Sequence, residues 1–201
     1  MGCDIHMHVE YKTDNGWCCG DYFELDRRST IDNPRYYYID LYDNRNYALF
    51  SVLANVRNYA DTEYIDEPRG LPDDVTDFVK EDYDSECWDV HSCSYFTLKE
   101  LIDFHKQAKP LKRTGLLSPS QLDALDNHGI LPTSWCQGCN IAGYERRKWE
   151  EENTVLVPLI ERLIKRADEL HLFYNFQFDE NFEGRGYELS DEIRIVFWFD
   201  N

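Results

Sequence analysis

The stretch Cys3-Asp4-Ile5-His6-Met7-His8-Val9-Glu10-Tyr11 constrains this chain more than any other, because apolar and polar side chains alternate through it without interruption. That is the period of a β-strand with one buried face. Cys3, Ile5, Met7, Val9 and Tyr11 write the core face, and Asp4, His6, His8 and Glu10 the opposite one. Neighbours on the polar face stand roughly 6.6 Å apart along the strand, so His6 and His8 can converge on one ion. A solvated sheet face is also written with polar residues. Asp, however, is depleted from strand interiors and His is the commonest metal ligand, so Asp-x-His-x-His is an unfavourable way to write a merely wet face.

The remaining periodicities place the other elements around this strand. Asn15-Gly16 between apolar runs signals a hairpin returning through 17–25, and 35–42 adds an aromatic extended segment. A helix of roughly fifteen residues is expected from Tyr47, capped by Asp43 or Asn44. A short helix is expected at 74–82, after the loop Asp66-Glu67-Pro68-Arg69-Gly70-Leu71-Pro72. Residues 88–96 read as irregular. Thr97-x-x-Glu100 is a capping box for a helix over 98–106, and Ser118-Pro119 opens another that Gly129 ends. The longest helix is expected over 145–170, kinked or divided by Pro158. Strands at 173–179 and 188–200 close the chain. Early and late strands with helices between them predict an α+β fold. Its central, mostly antiparallel sheet is formed by the N- and C-terminal strands, with helices from the middle of the chain packed on it. No linker divides residues 1–201, which read as a single domain.

Composition narrows the partners. Lys and Arg number 21 against 39 Asp and Glu, a net charge of −18. Such a surface repels nucleic acid and anionic membrane, so neither is an expected direct partner. One sharper use of the charge is mimicry of the DNA phosphate array, occupying a host nucleic-acid-binding protein. No apolar run reaches the roughly 18 residues of a membrane helix, and no basic and apolar leader is present at the N-terminus, which predicts a cytoplasmic protein. The 7 cysteines read as reduced thiols or ligands. Cys136-x-x-Cys139 has zinc-knuckle spacing, but no second pair follows it nearby.

Three places carry candidate chemistry. His6 and His8 would ligate a divalent metal, zinc by its donor preference, with His91 and Cys93 completing the site. Asp4 and Glu10 are the candidate catalytic carboxylates, acting on metal-bound water or orienting the imidazoles. Arg69, Ser92 and Ser94 are candidates for holding an anionic substrate, against the plainer reading that Arg69 pairs with a neighbouring acid and Ser94 caps a helix. No phosphate-cradling glycine loop, Rossmann fingerprint or Ser-His-Asp order is present.

Cys3-Asp4-Ile5-His6-x-His8-x-Glu10, Arg45-Asn46-Tyr47-x-Leu49-Phe50, Glu67-Pro68-Arg69-Gly70-Leu71-Pro72, His91-Ser92-x-Ser94 and Phe197-Trp198-Phe199-Asp200-Asn201, in this order, resemble a family of small uncharacterised proteins encoded by bacteriophages and prophages. The resemblance implies a phage-borne accessory protein in the host cytoplasm and assigns no activity. The family pattern often reads His-Ser-His-Ser where this chain has Cys93. Together these readings give a divalent-metal-binding protein, as a hydrolase of a small phosphorylated or nucleotide-like substrate. The alternatives are a non-catalytic module sequestering a small anionic signal, or the acidic DNA mimic. Partners are then a small anionic ligand or a host protein, with the oligomeric state open.

Overall fold

The computed structural model describes residues 2–86, 89–138, 140–170, 178 and 181–200. The alternating N-terminal stretch forms β1 (Asp4–Thr13), and the Asn15-Gly16 turn returns it into β2 (Gly16–Cys19). β8 (Ile193–Asp200) lies on the other side of β1, antiparallel, with Ile5 opposite Phe199 and Glu10 opposite Arg194. β5 (His91–Thr97) pairs with β8 in turn, so the main sheet runs β2-β1-β8-β5. The fold is α+β, and the N- and C-terminal strands occupy the middle of its sheet.

One face of that sheet is the core the alternation demands. Ile5, Met7 and Val9 of β1 and Ile195, Phe197 and Phe199 of β8 join the buried residues of α1 (Tyr47–Ala54), α3 (Leu98–Gln107) and α5 (Val157–Glu169). Leu159, Ile160, Leu163 and Ala167 fall on one stripe of α5. Each such side chain contributes roughly 1.5–3 kcal/mol relative to exposure. The second face is covered as well. α2 (Asp77–Ser85) lies over it, and Val79, Cys93, Val196 and Trp198 form a smaller apolar cluster there. β8, with neighbours on both sides and cover on both faces, is buried from Ile193 to Phe199.

Two further pairs of strands stand outside the main sheet: β3 (Tyr22–Leu25) with β4 (Tyr36–Ile39), and β6 (Leu111–Leu117) with β7 (Glu145–Glu151). α4 (Pro119–His128) follows β6, and a four-residue helix α6 (Arg185–Glu188) precedes β8. Both capping boxes form, Thr97 with Glu100 and Ser118 with Gln121, and Gly129 ends α4 in the left-handed conformation.

Several expectations are corrected. The helix predicted over 145–170 is a strand followed by a helix, because 145–151 alternates with period two against β6 and Pro158 sits in the first turn of α5, where its missing N–H breaks no bond. The cap of α1 is Asn46, and the helix stops at Ala54 because Asn55 turns left-handed at φ 58°. Residues 17–25 form two strands divided at Gly20-Asp21. Residues 91–94, expected as loop, belong to β5. The strand predicted at 173–179 lies outside the described residues save for Phe178. No helix among the described residues is long and apolar enough to cross a membrane.

Candidate functional site

Two places on the molecule concentrate chemistry. The first is the polar face of β1. His8 is fully buried there, with Nδ1 2.7 Å from Asp21 Oδ2 and Nε2 3.1 Å from Asp82 Oδ2. Burial opposes its charge, but the hydrogen bonds and fields of the two carboxylates outweigh it and raise its pKa to about 9. His8 is therefore an imidazolium donating both N–H groups, and it has no lone pair to give a metal. Tyr38 donates its hydroxyl to the same Asp82 oxygen at 2.8 Å. Asp21 also accepts the Val9 backbone N–H at 2.6 Å, and Asp40 accepts that of Met7 at 3.1 Å. Among the described residues the N-terminal half of β1 has no strand on that side, and these carboxylates take the place of one.

The other residues of this face are equally engaged. Both Glu10 oxygens are used: Arg194 donates to Oε2 at 2.8 Å and the Thr76 N–H to Oε1 at 2.7 Å. Arg194 also reaches Asp74 at 2.8 Å and lies 3.9 Å over the Trp17 ring. Asp4 forms a two-pronged ion pair with Arg45, which holds its carboxyl below the usual carboxylate range. Glu10 and Asp4 are thus clamps of the sheet in this arrangement. His6 stacks on Trp198 and lies 3.5 Å from both Glu86 and Asp200.

The expected convergence of His91 and Cys93 with His6 and His8 does not occur. His91 pairs with Phe199 and stacks on its ring, on the face opposite His6. An irregularity between His91 and Ser94, with Ser92 at φ 53°, shifts the register so that Cys93 returns to the Trp198 side. Burial there pushes the Cys93 thiol up to about 12, away from the thiolate that binds metal. Among the described residues no group of three or more His, Cys, Asp or Glu is placed to hold a metal ion. Ser92 bonds His91 Nδ1 at 3.0 Å, and buried Ser94 accepts the Arg69 N–H at 3.3 Å. The Arg69 side chain reaches Glu100 at 2.7 Å and Asp66 at 3.2 Å, and lies 4.6 Å over Phe96. Its loop seals the open edge of β5, with the Gly70 N–H on the Cys93 carbonyl at 2.9 Å. Cys136 is half-buried, and Cys139 lies outside the described residues.

The second place was not singled out by the sequence. A cleft of about 650 Å³ opens beside β6 and β7, lined among others by Lys112, Arg146, Lys148, Tyr59, Trp135 and Trp149. In the β6–β7 register Thr114 faces Lys148 and Leu116 faces Arg146, so Lys112, Arg146 and Lys148 share one face of the ribbon. None of the three has an ion-pair partner among the described residues. Arg113, by contrast, is held by Glu151 at 2.7 Å. The carboxylate of the lining is Glu150.

Comparison with protein-family models, curated proteins and solved structures returns no match.

The site therefore rests on geometry. The cleft was hidden because 145–151 reads as the first turns of a helix, which scatters Arg146 and Lys148 around an axis. The visible signal was the alternation Arg146, Lys148, Glu150 against Arg147, Trp149, Glu151.

Proposed function

We propose that the protein is a binding module for a small anionic ligand, held in the cleft beside β6 and β7. The observation that carries the reading is that Lys112, Arg146 and Lys148 stand together with no ion-pair partner among the described residues, in a chain with 39 acidic residues and a net charge of −18. Surrounding acids would normally neutralise such a cluster, and cations kept free at a concave site attract an anion. The cleft volume lies within the usual range for small-ligand pockets. The sequestering alternative gains from this, since the groups lining the cleft are suited to holding charge, while His8, Glu10 and Arg69 are committed elsewhere.

Inorganic pyrophosphate is the direct probe. Titration followed by tryptophan fluorescence and calorimetry is expected to saturate, with affinity falling roughly tenfold or more in Lys148→Glu and in Arg146→Glu. His6→Ala leaves it unchanged. Absence of saturable binding, or equal binding by the charge-reversed variants, overturns the reading.

A further inference from the structure

The β3–β4 ribbon is held at its base and free beyond it. Phe23 and Tyr38 face each other in the register and meet Phe78 of α2, with ring centroids 5.4 and 5.8 Å apart. On the other face the Arg166 guanidinium of α5 lies 4.0 Å over the Tyr22 ring. Past these contacts the ribbon leaves the body, and from Phe23 to Tyr37 no residue is buried. Leu25 and Tyr36 pair two positions further out, on the same face as Phe23 and Tyr38, and are 56% and 65% exposed. Ile31, at the turn, is wholly exposed. A two-stranded ribbon is marginally stable by itself in water, and a strip of large apolar side chains along one of its faces marks a surface that is covered in use.

Charge indicates what covers it. The far end of the ribbon carries Arg27, Arg28 and Arg35. Arg27 and Arg35 have no ion-pair partner among the described residues, and Arg28, 84% exposed at its side chain, has only Asp26 at 3.3 Å. At the base, α2 presents Asp77, Glu81 and Asp84, an exposed stripe spaced i, i+4 and i+7, and these too have no ion-pair partner among the described residues. The apolar face therefore runs from an acidic base to a basic tip.

Such a face complements itself after a half-turn. In a twofold dimer the same patch meets itself, and antiparallel ribbons bring the tip arginines of each copy onto the α2 acids of the other, with the apolar strips between them. Parallel stacking would set arginine against arginine. The net charge of −18 opposes the approach of two copies in general, but charges more than about 8 Å apart are largely screened at physiological ionic strength, so the pairs at the contact decide the outcome. Nucleic acid or an anionic membrane would be drawn to the arginines and repelled by the acids of α2; a second copy uses both. We infer that the β3–β4 ribbon is a dimerisation arm, its Leu25 and Tyr36 face stacked antiparallel on that of a second copy.

Light scattering of the full chain over roughly two decades of concentration is the test. The mass is expected to rise from 24.0 kDa toward twice that value. Tyr36→Glu, a change at an exposed ring, should weaken self-association roughly tenfold or more. Two charge-reversed chains then fix the arrangement: Arg27→Glu with Arg35→Glu, and Glu81→Arg with Asp84→Arg. Each alone sets like charges at both ends of the contact and should stay monomeric. Mixed, they should pair, since each reversed end meets an opposite charge, and that pairing also shows both chains to be folded. A native chain that stays monomeric throughout overturns the inference. Dimers that survive Tyr36→Glu place the contact elsewhere and overturn it, as does a mixture that does not pair. If the native chain instead stays monomeric and floats with vesicles of anionic phospholipid unless Tyr36→Glu is present, the arm serves a membrane and the second copy is ruled out.

Discussion

At the scale of single residues, His8 has the clearest energetic consequence. An imidazolium between Asp21 and Asp82 satisfies two carboxylates at once, one of them fully buried at its side chain. Replacing His8 by Ala leaves Asp21 as a buried charge without its partner, and breaking such a pair typically costs 3–5 kcal/mol. Urea unfolding of His8→Ala at neutral pH checks that loss. The pH dependence has a definite sign. The folded-state pKa of about 9 lies above the ordinary value of 6.5, so the stabilisation is complete below about 6.5 and disappears as pH rises through 9. Asp82, whose carboxyl His8 holds low, contributes the opposite limb, lost as pH falls into the acid range. The unfolding free energy of the native chain, read from its urea curves, is therefore expected to drop between neutral pH and about 10, on the order of 3 kcal/mol. In His8→Ala that drop should be absent. A midpoint flat across this range in the native chain would show that His8 is not held as a cation.

At the scale of elements, the β6–β7 ribbon is packed by a tryptophan, Trp135, against Gly115 of β6. Gly115→Ala places a methyl against Trp135, and such overpacking costs roughly 1–3 kcal/mol while tilting the ring. A lowered melting temperature and a shifted tryptophan emission maximum should follow. Elements whose signals are local were legible in the sequence: the alternation of β1, the capping boxes at Thr97 and Ser118, the Asn15-Gly16 turn. Those whose identity depends on a distant partner were not. β7 reads as helix until Arg113 and Trp149 face each other across the ribbon. The irregularity at Ser92 exists only in register with β8, yet it decides that His91 and His6 look in opposite directions. The partners of His8 lie 13 and 74 positions away, so its alternation could announce a polar face but not that two aspartates bury it.

At the scale of the whole molecule, charge governs behaviour in solution. With a sequence pI near 4.6, the net charge vanishes in mild acid and self-repulsion goes with it. Turbidity is expected to peak near that pH and to clear at neutral pH; a chain fully soluble at its pI would contradict this. The adjacency of β1 and β8 bears on how the molecule is made. Asp4 and Asp200 are bonded neighbours 196 positions apart, and every partner β1 has across β8 belongs to residues 193–200. Synthesis is vectorial, so Ile5, Met7 and Val9 leave the ribosome long before the strand that flanks them exists. Until translation reaches β8, the nascent chain holds an apolar strand with one side unpaired, a template for wrong pairing and a natural client for a holding chaperone. Of the four strands of the main sheet, the one made after the other three sits in its middle, and the sheet can close only after that strand has been delivered.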